Sequence, residues 1–159
     1  MKTMIAYASK YGCTKECAER LASKLHGETE LFDLKSEKTP DLSAYESVVI
    51  GSAVYIGTTQ KEAREFCSNN LEALKNKKLG LFICGSQTGD ALAQEFKAAY
   101  PIELMERAIV KDCFGGTFKF SKMSFMEKTI VKVIAKTNKD TSTVSEEKIE
   151  IFAQQMNKA

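Results

Sequence analysis

The stretch Ala8-Ser9-Lys10-Tyr11-Gly12-Cys13-Thr14 gathers two hydroxyls, a lysine, an aromatic ring, a glycine and a thiol into seven residues. It follows the apolar run Met4-Ile5-Ala6-Tyr7 and precedes a segment with helical spacing. A tight turn needs one or two such residues. The N-terminus of a helix offers backbone N–H groups with no partner in the helix, together with the positive end of its dipole, and both favour an anion. Gly12 lets backbone approach a phosphate closely. Ser9, Thr14 and the N–H groups of Tyr11, Gly12 and Cys13 are the expected donors, with Lys10 inside the same loop. The loop lacks the GK[ST] ending of a Mg-nucleotide site, and it lacks GxGxxG. The same residues also suit a plain turn with an N-cap hydroxyl, and the loop alone leaves both readings open.

Two further stretches carry comparable composition. Ser52-Ala53-Val54-Tyr55-Ile56-Gly57 puts an aromatic ring and two aliphatics after an apolar run, with Gly51 and Gly57 expected to let the backbone approach a flat ligand. Tyr55 can stack on such a ring. Gly85-Ser86-Gln87 offers backbone amides and small polar groups to the edge of a heterocycle. The three stretches describe one site only if the fold brings them to one rim.

The elements that would do so alternate along the chain. Apolar or β-branched runs at 3–8, 28–33, 47–52, 78–85 and 107–114 read as strands. The periodicity predicts helices over 14–25, from Lys61 through Leu71, over 90–100, and from Glu146 to Met156. Thr59-Gln60-Lys61-Glu62 and Thr143-Val144-Ser145-Glu146 fit the capping-box pattern. Pro101 ends the third helix, and residues 41–45 suit a single helical turn. Five strands alternating with helices argue for a parallel sheet covered on both faces. Ligands bind such sheets beyond the carboxyl ends of the strands, where all three loops fall.

The loop Ser9-Lys10-Tyr11-Gly12-Cys13-Thr14 is similar to the T/S-x-x-G-x-T phosphate loop of flavodoxin-like proteins, and the placement of strands and loops agrees with that family over the whole chain. The resemblance implies an α/β three-layer sandwich with a five-stranded parallel sheet in the order 2-1-3-4-5. It implies FMN as cofactor, held by residues 9–14, 52–57 and 85–87, with no catalytic side chain because the flavin does the chemistry. Within that superfamily the Gly51–Gly57 pattern and the insertion opened by Gly115-Gly116-Thr117-Phe118 most resemble the menaquinone-dependent protoporphyrinogen oxidase group. That resemblance implies an apolar substrate and a quinone acceptor. The common flavodoxin pattern implies a carrier passing electrons between redox partner proteins. The chain has no Trp to lie against a flavin, so Tyr55, or Val54 and Ile56, would take that place.

The remaining composition narrows the classes. One domain of 159 residues is expected, with an insertion at 117–139 before the last helix. A net charge of +2 does not call for nucleic acid. Five cysteines without a CxxC pair and a single histidine predict no metal site and a reducing, cytoplasmic setting. Cys13 reads either as a small loop residue or as a redox thiol at a helix N-terminus. Residues 117–139 hold Lys119, Lys122, Lys128, Lys132, Lys136 and Lys139 against the single acid Glu127, a net +5. Met123, Met126, Ile130, Val133 and Ile134 recur at helical spacing beside the lysine stripe. This suits an ordinary helix on the domain or a basic interfacial helix touching a membrane surface. Phe118, Phe120 and Phe125 suit a channel wall for an apolar substrate.

Overall fold

The structure is a computed structural model that describes residues 2–38, 41–55, 57–118 and 141–159. Pro40, Ile56 and positions 119–139 of the insertion lie outside the described residues.

The apolar runs pair as parallel strands. These are β1 (Lys2–Ala8), β2 (Glu28–Asp33), β3 (Ser47–Tyr55), β5 (Lys78–Cys84) and β6 (Val110–Cys113), in the order β2-β1-β3-β5-β6. A two-residue strand, β4 (Thr58–Thr59), folds back antiparallel on the end of β3. Leaving this short strand out, the order is the expected 2-1-3-4-5. The helices are α1 (Cys13–Ala22), α2 (Lys61–Asn69), α3 (Leu71–Leu74), α4 (Gly89–Ala99), α5 (Ile102–Arg107) and α6 (Glu146–Lys158).

The central strands are apolar throughout because both faces are covered. On β1, Met4 and Ala6 join Val48, Ile50, Leu79, Leu81 and Phe96 in one core. Ile5 and Tyr7 join Cys17, Leu21, Val49, Phe82, Ile149 and Phe152 in the other. β2 is the edge strand and stays half-buried, as its polar–apolar alternation requires. In the second core Phe82 stacks on Phe114 at 4.7 Å between ring centroids. Phe152 meets Phe114 edge-on at 5.2 Å and Phe82 at 6.1 Å.

Several local expectations change. Gly51 does not open the backbone to a ligand: it lies mid-strand, and a Cβ there would sit 2.2 Å from the Phe82 ring. The strand expected at 47–52 runs on to Tyr55, because β4 gives residues 54 and 55 a pairing partner. Neither capping box forms. Thr59 is held in the β3–β4 pair, its hydroxyl accepts from Arg64 Nη1, and Gln60 takes the N-cap position. At α6 the cap is Ser145, whose Oγ accepts from Lys148 N–H at 3.2 Å, while the Thr143 hydroxyl bonds Gly116. The second helix breaks at Asn70, whose Nδ2 donates to Phe66 O at 2.9 Å. Pro101 ends α4 and takes the N-cap position of α5 in extended backbone, where its missing N–H leaves no helical bond unmade. The insertion leaves and rejoins through an antiparallel pair, Thr117–Phe118 (β7) with Thr141–Ser142 (β8).

Candidate functional site

The three loops leave the carboxyl ends of β1, β3 and β5, which are neighbours in the sheet, so they meet on one rim. The first loop is built around Gly12. Its φ of +96° is a left-handed conformation that glycine adopts without penalty, and it is the N-cap of α1. The Gly12 N–H donates to Ser9 Oγ at 2.9 Å, which leaves the Ser9 hydroxyl its own hydrogen to donate. This internal bond takes one backbone donor that the sequence assigned to a phosphate. The helical ladder begins with Glu16 N–H on Gly12 O at 3.0 Å, so the N–H groups ahead of it belong to the open first turn.

Thr14 is 0% exposed, and its hydroxyl has no hydrogen-bond partner. An orphaned buried hydroxyl costs about 1–3 kcal/mol. The residue sits in the first turn behind Gly12, where an anion oxygen drawn toward the helix end would relieve that cost. Tyr11 and Tyr55 bring the first two loops into contact, edge to face at 5.3 Å. Lys10 Nζ lies 4.5 Å from the Tyr55 ring centroid and 5.6 Å from that of Tyr11. A cation is thus held beside the first loop, over half-buried aromatic surface.

The second loop divides into inner and outer parts. Ser52 and Ala53 are buried and turned to internal bonds: the Ser52 hydroxyl donates to Ala53 O at 3.3 Å, and Gln60 Nε2 donates to the same carbonyl at 3.3 Å. Val54 is buried against Gly85. Tyr55 and Gly57 face the rim, and Gly57 has φ +74° with open space where a Cβ would stand. In the third loop Gly85 is buried and donates its N–H to Gly115 O at 2.9 Å, whereas Ser86 and Gln87 are exposed. The Cys113 thiol donates to Gly85 O at 3.5 Å. The rim therefore presents Ser9, Lys10, Tyr11, Tyr55, Gly57, Ser86 and Gln87, backed by Gly12, Thr14, Val54 and Gly85.

Two features of this region escape the sequence reading. Glu95 on α4 is half-buried, and its Oε1 has no hydrogen-bond partner. That atom lies 3.6 Å from the Cβ position of Gly85. Burial pushes its carboxyl above the usual value of 4.5. The available signal was an acid on the inward stripe of α4, beside Leu92, Phe96 and Ala99. Because its folded pKa is raised, ionised Glu95 destabilises the fold above that pKa, and the penalty vanishes once pH falls below the unfolded value. Glu95→Gln is therefore expected to raise Tm at neutral pH. The gain should fade as pH approaches 4.5, measured by thermal scans across pH. The second feature is a thiol cluster. Cys84 meets Cys13 and Cys17, and this supplies the neighbour for Cys13 that sequence separation conceals.

Residues 4–145 match the family described as flavodoxin domain. No curated protein matches the chain. Among solved structures, a short-chain flavodoxin associated with a non-canonical PDU bacterial microcompartment superposes with a TM-score of 0.61 at 13% identity, covering 99% of this chain and 97% of that one. Oxidised flavodoxin 2 from Bacillus cereus gives 0.59 at 21% identity, covering 99% of each. Two-electron reduced flavodoxin from Megasphaera elsdenii gives 0.59 at 17% identity, again covering 99% of each. At these identities the likeness is one of fold.

Proposed function

The chain belongs to the flavodoxin domain family, and on that premise we propose that it binds FMN at this rim and passes electrons between redox partners. The observation that carries the reading is the buried, unpartnered Thr14 hydroxyl behind the left-handed Gly12 at the end of β1. The Thr3 and Thr29 hydroxyls are also without partners, and what sets Thr14 apart is its place in the first turn of α1, next to the left-handed Gly12 at the carboxyl end of β1. When bound, FMN would supply one- and two-electron transfer. The chain's own residues bind and orient. Ser9 and Thr14 donate to the phosphate, the first turn of α1 adds its N–H groups and dipole, and Lys10 adds charge. Tyr55 and the strand ends at Val54 and Gly85 set an apolar bed for the ring, with Ile56 assigned to it from the sequence alone. Backbone groups around Gly57, Ser86 and Gln87 would reach its polar edge, whereas the Gly85 N–H is already bonded to Gly115 O. Burial beside a low-dielectric wall excludes water, and this is how a protein shifts a cofactor's potential without a catalytic side chain.

Titration with FMN tests this directly. The purified chain should quench FMN fluorescence to an equimolar end-point; unquenched, freely diffusing FMN sinks the reading.

A second, finer reading is an oxidoreductase of the protoporphyrinogen oxidase type, with a quinone acceptor and peripheral contact with the inner face of the cytoplasmic membrane. The net +5 and the phenylalanines of residues 117–139 favour it. Among the described residues no helix is long and apolar enough to cross a membrane, so such contact would be at the surface. The carrier, acting in the cytoplasm, is reduced by a flavodoxin reductase and shows no turnover of protoporphyrinogen with quinone. The oxidase shows that turnover.

A further inference from the structure

The Sγ atoms of Cys13, Cys17 and Cys84 all lie within 4.8 Å of one another. The first two stand one turn apart on α1, and the third ends β5, so two elements far apart in the chain build the group. Cys17 is 0% exposed, Cys84 4% and Cys13 8%. All five cysteines are free thiols, so the three are brought together by packing and not by a disulfide. Their surroundings are the apolar core of Ile5, Tyr7, Ala18, Val49 and Phe82. Among the described residues, no histidine or carboxylate joins them as a fourth ligand.

We propose that this cluster is a three-thiol binding site for a trivalent thiophilic centre, with arsenous acid as its occupant. Thiolates sit about 2.3 Å from a bound soft centre such as zinc, and around a pyramidal trivalent centre at that distance three of them lie about 3.5 Å apart. The observed limit of 4.8 Å closes to that by side-chain rotation. Charge then selects the class. Three thiolates around a monovalent ion such as Cu(I) leave a net −2 in an apolar core, and around a divalent ion −1; around a trivalent centre they leave none. An uncompensated buried charge is strongly unfavourable. Zinc also takes a fourth ligand in closed sites, which this cluster lacks.

The exchange balances without an oxidant or reductant. Three As–O bonds break and three As–S bonds form. Each thiol proton leaves with a departing hydroxide, so arsenous acid and three thiols give the neutral trithiolate and three waters. Cys13, the most exposed of the three, makes the first bond, and Cys17 and Cys84 close the chelate. Occupancy ties the phosphate loop to the end of β5.

The test uses the full chain, reduced, with sodium arsenite as probe. Because all five thiols are buried in the folded chain, they are alkylated on unfolding in denaturant: the chain loaded with arsenite while folded should show two reactive groups where the unloaded chain shows five, and its intact mass should rise by one arsenic less three hydrogens. Alkylation mapping should find Cys67 and Cys113 modified and the other three protected. Cys84→Ser should weaken uptake roughly 100-fold or more, because the chelate is lost. Cys67→Ser should leave it unchanged. Protection of only two cysteines, uptake by Cys84→Ser equal to the parent's, or retention of zinc or Cu(I) on the same three thiols in preference to arsenite overturns the proposal. The mapping on the unmodified chain stands even where a serine variant fails to fold.

Discussion

The Ser9→Ala/Thr14→Ala variant is expected to bind FMN 100-fold or more weakly than the parent chain. Each hydroxyl would give a charge-assisted hydrogen bond to a phosphate oxygen, worth about 1.5–3 kcal/mol. Together they supply about 3–6 kcal/mol, two to four powers of ten in affinity. The two positions differ in what they do without a ligand. Ser9 Oγ accepts the Gly12 N–H, so Ser9→Ala returns that donor to water at a half-buried site and loosens the loop. Thr14 has no partner to lose. Thr14→Val keeps the shape and removes an orphaned buried hydroxyl, so it should leave Tm of the unliganded chain unchanged or higher while FMN affinity falls. Fluorescence titration with thermal scans of the same samples reads both. Unaltered FMN affinity in the double variant would return the stretch to an ordinary turn with an N-cap.

The architecture is legible in the sequence because its signals are local. Runs such as Ser47-Val48-Val49-Ile50 need burial on both faces, and a parallel sheet supplies it. The apolar stripe Ile149, Phe152, Ala153 and Met156 has one way to face a core, and all four are buried. What failed was local spacing overruled by tertiary pairing. Thr59 has the right spacing to cap a helix, but its backbone is committed to Val54 and its hydroxyl to Arg64. Ser52 and Ala53 sit near a strand end, as a rim residue should, yet Gln60 closes over them from the N-cap of α2. The thiol cluster depends on how α1 lies over β5, which no spacing in the chain encodes. The helical reading of 117–139 falls on residues outside those described, although its base at β7 and β8 is placed.

Gly51 illustrates how the same residue type serves packing at one position and the rim at another. Gly51→Ala is expected to destabilise the fold by about 1–3 kcal/mol, the usual cost of an extra methyl in a filled core. For a chain of this size that lowers Tm by about 2–12 °C. The added Cβ would stand 2.2–2.6 Å from three atoms of the Phe82 ring, in register with it on the neighbouring strand. The ring cannot retreat cheaply, because Phe114 stacks on it and Phe152 abuts it. Phe82→Leu in the same chain should recover part of the loss by giving the methyl room, and not all of it, because the aromatic contacts go. A ligand-facing role would leave a different record: Gly51→Ala would then weaken FMN binding at unchanged Tm, and Phe82→Leu would not rescue it. Gly57 sets the contrast. Nothing stands within 4 Å of a Cβ there, but its φ of +74° is strained for any side chain. A substitution at Gly57 therefore meets the backbone of the rim, whereas one at Gly51 meets the core beneath it.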